Sequence, residues 1–176
     1  MSSRFALTAD DCEILVVREL RRAGIEPSGL RRRRGSYEPS SDGWRFELAG
    51  ALEAYGRRWS ACVACRNIAG QLGTADVDDA RLRADHANAR SALLFTTGSF
   101  QADAIERAHE LRVALFEIVD AQPALLAAGL IQPGPLPAWV PEFTAELITH
   151  DDRGVRRRLL EANEPEMILR ELRRLH

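Results

Sequence analysis

The sequence predicts an α/β/α sandwich with a mixed central sheet, followed by a C-terminal helical extension. Three observations lead there. Stretches with apolar period two and stretches with apolar period 3.6 succeed one another along the chain. The later strand-like runs are continuously apolar, as in strands covered on both faces. The early strands follow each other as a meander while the later ones are separated by a helix, so antiparallel and parallel pairs must share one sheet.

The first helix is capped by Thr8, with Asp11 placed to reach back in a capping box, and Cys12, Leu15, Val16, Leu20 and Ala23 fall on one face before Gly24 ends it. Arg31, Arg32, Arg33 and Arg34 follow, as an edge strand or a loop, and then a polar, turn-forming "GSYEPSSDG". From Trp44 the period is two. Trp44, Phe46 and Leu48 share one face with Arg45 and Glu47 on the other, and Trp59, Ala61, Val63 and Cys65 oppose Ser60, Cys62, Ala64 and Arg66 in the next run. The two runs read as an antiparallel hairpin.

Thr74 is the expected cap of a helix whose small stripe, Val77, Ala80, Ala84 and Ala87, suits close packing on a sheet. Ala92 to Phe95 reads as a buried strand, Ser99 as the cap of a helix carrying Ile105, Ala108 and Leu111 inward, and "VALFEIVD" as a parallel partner strand. This core spans residues 1–128. Residues 129–176 hold a proline-rich connection, a short strand within Phe143 to Ile148, and a last helix. That helix has Asn163 as possible cap, Pro165 in the first turn, an apolar face of Ile168, Leu169, Leu172 and Leu175, and Arg170, Arg173 and Arg174 toward its C-terminal end.

Composition narrows the function classes. At 176 residues, 45% hydrophobic, 28% charged and with net charge −2, the chain suits one core with appendages and has no global attraction to nucleic acid. No apolar run reaches the ~20 residues of a membrane span and no signal core opens the chain, so a cytoplasmic location without membrane contact is expected. All 24 basic residues are Arg, which excludes lysine Schiff-base or ammonium chemistry. Cys12, Cys62 and Cys65 are an odd set, and none of the four histidines stands at ligand spacing from the Cys62/Cys65 pair, so these read as small strand and helix residues.

The stretch "SALLFTTGSFQADAIERAHELRVALFEIVDAQPAL", together with "DGWRFEL" at Asp42 to Leu48 and "ACR" at Ala64 to Arg66, resembles the Mrr-type restriction endonuclease family of the PD-(D/E)xK nuclease fold. The resemblance runs from about Leu7 to Ala128. It implies a restriction endonuclease-like fold and, in an active member, a Mg2+ site on two neighbouring strands that polarises the scissile phosphate. Carried over residue by residue, Glu47 stands at the Asp ligand position, Ala64 at the second ligand position, and Arg66 at the Lys position. Ala64 offers no oxygen, and Arg66 stays protonated, so it is a poor proton acceptor.

The expected site is therefore a degenerate one, Glu47 with Arg66. Strand alternation points both into one cleft, either as an ion pair in the metal's place or as two solvated positions. A relocated acidic cluster of Glu13, Glu47 and Glu53 is the alternative that would keep activity. Asp76, Asp78 and Asp79 read as first-turn helix acids.

Three functions follow. One is an inactive nuclease domain that binds double-stranded DNA through Arg31, Arg32, Arg33, Arg34, Arg57 and Arg58 in a DNA-processing or defence setting, with no cofactor. Another is an atypical Mg2+ endonuclease with Glu47 as metal ligand. The third is an interaction module in which the C-terminal extension docks a protein partner or a second copy.

Overall fold

The structure, a computed structural model, describes residues 6–173, so Arg174 and Leu175 of the expected last helix lie outside the described residues. In chain order the elements are α1 (Ala9–Arg22), β1 (Glu26–Arg32), β2 (Glu38–Ser40), β3 (Gly43–Ala54), β4 (Arg57–Asn67), β5 (Gln71–Leu72), α2 (Thr74–His86), β6 (Ser91–Thr96) and β7 (Ser99–Phe100). They continue with α3 (Ala102–Leu111), β8 (Val113–Asp120), α4 (Ala121–Ala127), β9 (Phe143–Asp151), β10 (Gly154–Leu159) and α5 (Glu166–Leu172).

The main sheet runs β1-β3-β4-β6-β8-β9-β10, with β2 also paired to β3. The β3–β4 hairpin is antiparallel, β4–β6 and β6–β8 are parallel, and β8–β9 is antiparallel again. It is the mixed sheet that the order of periods predicts. Period two sends alternate residues of each strand to opposite faces. On one face Phe46, Leu48, Val63, Cys65, Phe95 and Phe116 pack beneath α1 and α5. On the other, Cys62, Ala64, Leu94 and Leu115 pack beneath α2 and α3. Burying each such Leu or Phe contributes about 1.5–3 kcal/mol. Phe95 and Phe116 stack at 4.2 Å between ring centroids, tying the two parallel strands together.

Cys62 and Cys65 thus face different layers, and all three cysteines are buried and unbridged. Thr8 caps α1 as expected, accepting the Asp11 N–H at 3.1 Å. Gly24 ends it at φ 91°, where an added Cβ would stand 3.2 Å from Pro165, so glycine lets the C-terminal segment close against the end of the helix.

Three expected caps are corrected. Thr74 is the first residue of α2 rather than its cap; the flanking Gly73 donates its N–H to the Asp76 carboxylate at 2.9 Å. Ser99 lies in the short strand β7, paired to β5, and Gln101 precedes α3. Asn163 forms a left-handed turn at φ 58° whose N–H reaches the Arg22 carbonyl, and α5 starts after Pro165. In each case a backbone or carboxylate partner satisfies the first turn where a hydroxyl or amide was expected. Strand β9 is longer than expected, and β10 was not foreseen. Ile168 and Leu169 of α5 are buried in the α1 layer.

Candidate functional site

Alternation along β3 turns Glu47 away from the α1 layer and toward α2, and the same alternation on β4 does so for Ala64 and Arg66. These residues line a cleft with Ser36, Arg45, Asp76, Asp79 and Arg83. The space left open in it is about 20 Å³, room for about one water.

Glu47 is 3% exposed, and both its carboxylate oxygens are taken. Arg83 Nη1 donates to Oε1 at 2.6 Å, and Arg33 Nη1 donates to Oε2 at 2.8 Å. The Cys62 thiol also points at Oε2, at 3.8 Å; burial, then the neighbouring carboxylate, push this thiol up to about 12. Arg83 in turn bonds Asp79 at 2.7 Å, one turn earlier on α2, and its pKa is raised by these two carboxylates. Arg33 is held in place by its own backbone: its N–H donates to the Glu47 carbonyl at 2.8 Å, while buried Ser36 donates its hydroxyl to the Arg33 carbonyl at 2.7 Å.

The expected Glu47–Arg66 pair is not formed. The hairpin register sets Glu47 opposite Ala64 and Arg45 opposite Arg66, so the two are diagonal neighbours with Cα atoms ~7–8 Å apart. Closer donors from outside the hairpin, Arg83 and Arg33, saturate Glu47. Arg66 instead donates to Asp76 Oδ1 at 2.7 Å, while Oδ2 of the same carboxylate caps α2. Asp76 thus both caps its helix, as read from sequence, and fixes Arg66. Asp78 bonds Arg107 at 2.7 Å, away from the cleft.

The alternative acidic cluster is not brought together either. Glu13 sits on the α1 side of the sheet and accepts from Arg32 at 3.1 Å, whose guanidinium lies 4.8 Å from the centre of the Phe46 ring in the α1 layer. Glu53 is six residues along β3 from Glu47, ~20 Å away at strand rise, and pairs with Arg58 at 3.4 Å. Among the described residues no group of three His, Cys, Asp or Glu side chains is placed to hold a metal ion. The donor set does not fit the Mg2+ site that the resemblance implies: Glu47 is saturated by guanidinium groups, and Ala64 has no ligand atom.

The arginine run divides by alternation. Arg32 points to α1, Arg33 clamps Glu47, and Arg31 and Arg34 are exposed without a carboxylate partner among the described residues. Arg57 and Arg58 lie at the far end of β4, nine residues and ~30 Å from Arg66. Arg83 and Asp79 were not picked out as site residues from the sequence, and Arg33 was expected to contact DNA rather than Glu47. The signal for the first two was present: Asp76, Asp79 and Arg83 are spaced i, i+3, i+7 beside the apolar stripe of α2, a polar row facing the sheet.

Thr96, Thr97 and Gly98, the centre of the phrase that carries the resemblance, close the end of β6. Thr97 accepts the Ile68 N–H at 3.0 Å and donates to Asn67 at 2.8 Å; Thr96 accepts the Gly98 N–H at 3.0 Å. A Cβ on Gly98 would fall 2.4 Å from the Gly70 carbonyl, so no larger residue fits. The phrase is a structural clasp beside the cleft.

No curated protein and no solved structure matches the chain. The family model Mrr_cat, restriction endonuclease, matches residues 6–122. With that match over most of the chain, and the mixed sheet and two helical layers described above, the chain belongs to the Mrr-type restriction endonuclease family.

Proposed function

We propose that this chain is a restriction endonuclease-fold domain that has given up metal-dependent hydrolysis and serves as a DNA-binding module in a DNA-processing or defence setting. The observation that carries this reading is the saturation of Glu47 by Arg33 and Arg83, where an active member would hold a cation. The guanidinium groups supply fixed positive charge in the cation's place, and Arg66, locked on Asp76, is not free to orient a nucleophile. DNA contact is assigned to Arg31 and Arg34, exposed on and just after the edge strand β1, with Arg57 and Arg58 as a second pair at the start of β4, opposite Ala54 and Glu53 of β3. Arginine reads phosphate through planar paired donors, and each neutralised phosphate adds salt dependence to binding.

Incubating supercoiled plasmid with Mg2+ or Mn2+ tests the first half: the expected result is no nicking above a Glu47→Ala control, and nicking abolished by that substitution would overturn it. Duplex titration tests the second half. Affinity should fall with rising salt, with a shallower slope when Arg31 and Arg34 are both replaced by Ala. An unchanged slope would remove these residues from the interface.

A further inference from the structure

At the opposite end of β4 from the Glu47 cleft lies a groove of about 880 Å³, within the size range of small-ligand sites. Among the described residues six arginines line it, against a single carboxylate, Asp85. Arg58, Arg81 and Arg173 have ion pairs with Glu53, Asp85 and Glu166. Arg57 and Arg90 have no carboxylate partner among the described residues, and Arg112 has only the nearby charge of Glu171. The dipole of α3 accounts for Arg112, which caps its C-terminal end, but not for Arg57 on a strand or Arg90 in a loop, outside the last turns of α2 and α3.

The backbone marks the same place independently. Among the described residues four non-glycine ones are left-handed: two are Asn, which tolerates that conformation, and the other two, Tyr55 and Arg112, both line this groove. Tyr55 and Gly56 form the two-residue turn of the β3–β4 hairpin at φ 52° and 70°, a geometry that favours Asn-Gly. Tyrosine is held there with its side chain 66% exposed, and Trp59 stands two residues beyond Arg57 on the same wall. Arg112 occupies the position after α3 where glycine is the usual choice. Strain of this kind collects where a side chain is needed for binding.

We propose that this groove is a second site that takes a nucleoside phosphate, the base against Tyr55 and Trp59 and the phosphate among Arg57, Arg90 and Arg112. The ligand is either a free nucleotide or one unit of a single strand; both present the same flat base and phosphate. The proposal goes beyond the DNA reading above and shares only Arg57 of its residues with that reading; plasmid nicking at the Glu47 cleft, or an unchanged salt slope on replacing Arg31 and Arg34, would leave this groove as it is.

The test is fluorescence anisotropy of the full chain with labelled oligothymidylate, with unlabelled oligothymidylate, ATP, duplex DNA and polyglutamate as competitors. Salt-sensitive binding is expected, weakened about tenfold or more by Tyr55→Asn and by Arg57→Glu with Arg90→Glu. Tyr55→Asn suits the turn better than the parent residue, so thermal stability equal to or above the parent separates loss of binding from loss of fold. Displacement by ATP assigns a free nucleotide, and displacement by the oligonucleotide but not ATP assigns a strand; either supports the site. No binding at low salt, displacement by polyglutamate or by duplex as effective as by oligonucleotide, or indifference to these substitutions would each overturn it.

Discussion

Arg83 and Arg66 stand in one cleft, each on a short bond to a carboxylate, but their removal should have unequal cost. Arg83→Ala takes one of two counter-charges from a carboxylate that is almost wholly buried, and loses charged hydrogen bonds worth about 2 kcal/mol. Arg66→Ala frees an Asp76 that keeps its bond to the Gly73 N–H and stays a quarter exposed, so the loss should be under about 1 kcal/mol. Urea denaturation of the two variants measures the difference, and equal losses would mean that Glu47 is not held by the clamp described. Glu47 and Arg66 were legible in the sequence as residues of one cleft because alternation is a local rule. The partners of Glu47 were not, because Arg33 arrives from a turn and Arg83 from a helix, and no local period links either to β3.

At the scale of elements, α1 carries a carboxylate within its apolar stripe. Glu19 falls between Leu15 and Ala23 on the buried face and is 1% exposed. Arg18 and Arg22 bond it at 3.1 and 2.5 Å, and the Thr144 hydroxyl of β9 donates to it at 3.1 Å. Arg22 also reaches the Leu160 carbonyl just past β10, and Arg18 the Phe143 carbonyl. One buried charge thereby joins the first helix to the last hairpin. Glu19→Ala should lower stability by about 1–3 kcal/mol, because the charged hydrogen bonds and that of the buried Thr144 are lost, while the two guanidinium groups are partly exposed and keep their carbonyl partners. A chemical-denaturation midpoint shifted by less than a surface substitution would rule this out. The elements that the sequence reading recovered, α1, the β3–β4 hairpin and the β6–α3–β8 unit, each have a sustained period or a continuous apolar run. Strand β10, "GVRRRL", has neither, since four of its six residues are exposed, and β7 is too short to carry a pattern.

For the molecule as a whole, the titration of two half-buried acids gives a pH signature. Glu146 and Glu171 are both held above their ordinary value of 4.5, chiefly by burial, and for Glu146 also by the neighbouring Glu117. A carboxyl group whose folded pKa is raised binds more protons folded than unfolded, so its contribution to stability is full below about pH 4.5 and is lost as pH rises through the folded value. Replacing both with Gln should therefore leave the thermal midpoint unchanged or lower at acid pH and raise it at neutral pH, relative to the parent. A midpoint difference that stays constant across this window would show that neither group is perturbed in the fold. The clamp on Glu47 also constrains what a substitution there can do. Its two cations come from separate places in the chain, Arg33 from the turn after β1 and Arg83 from the helix α2. Freeing the carboxylate for a metal would require several coordinated substitutions, and every intermediate would carry a buried, under-neutralised charge. Neither Arg33→Ala nor Arg83→Ala alone opens the carboxylate to a metal, because the other guanidinium stays bonded to it.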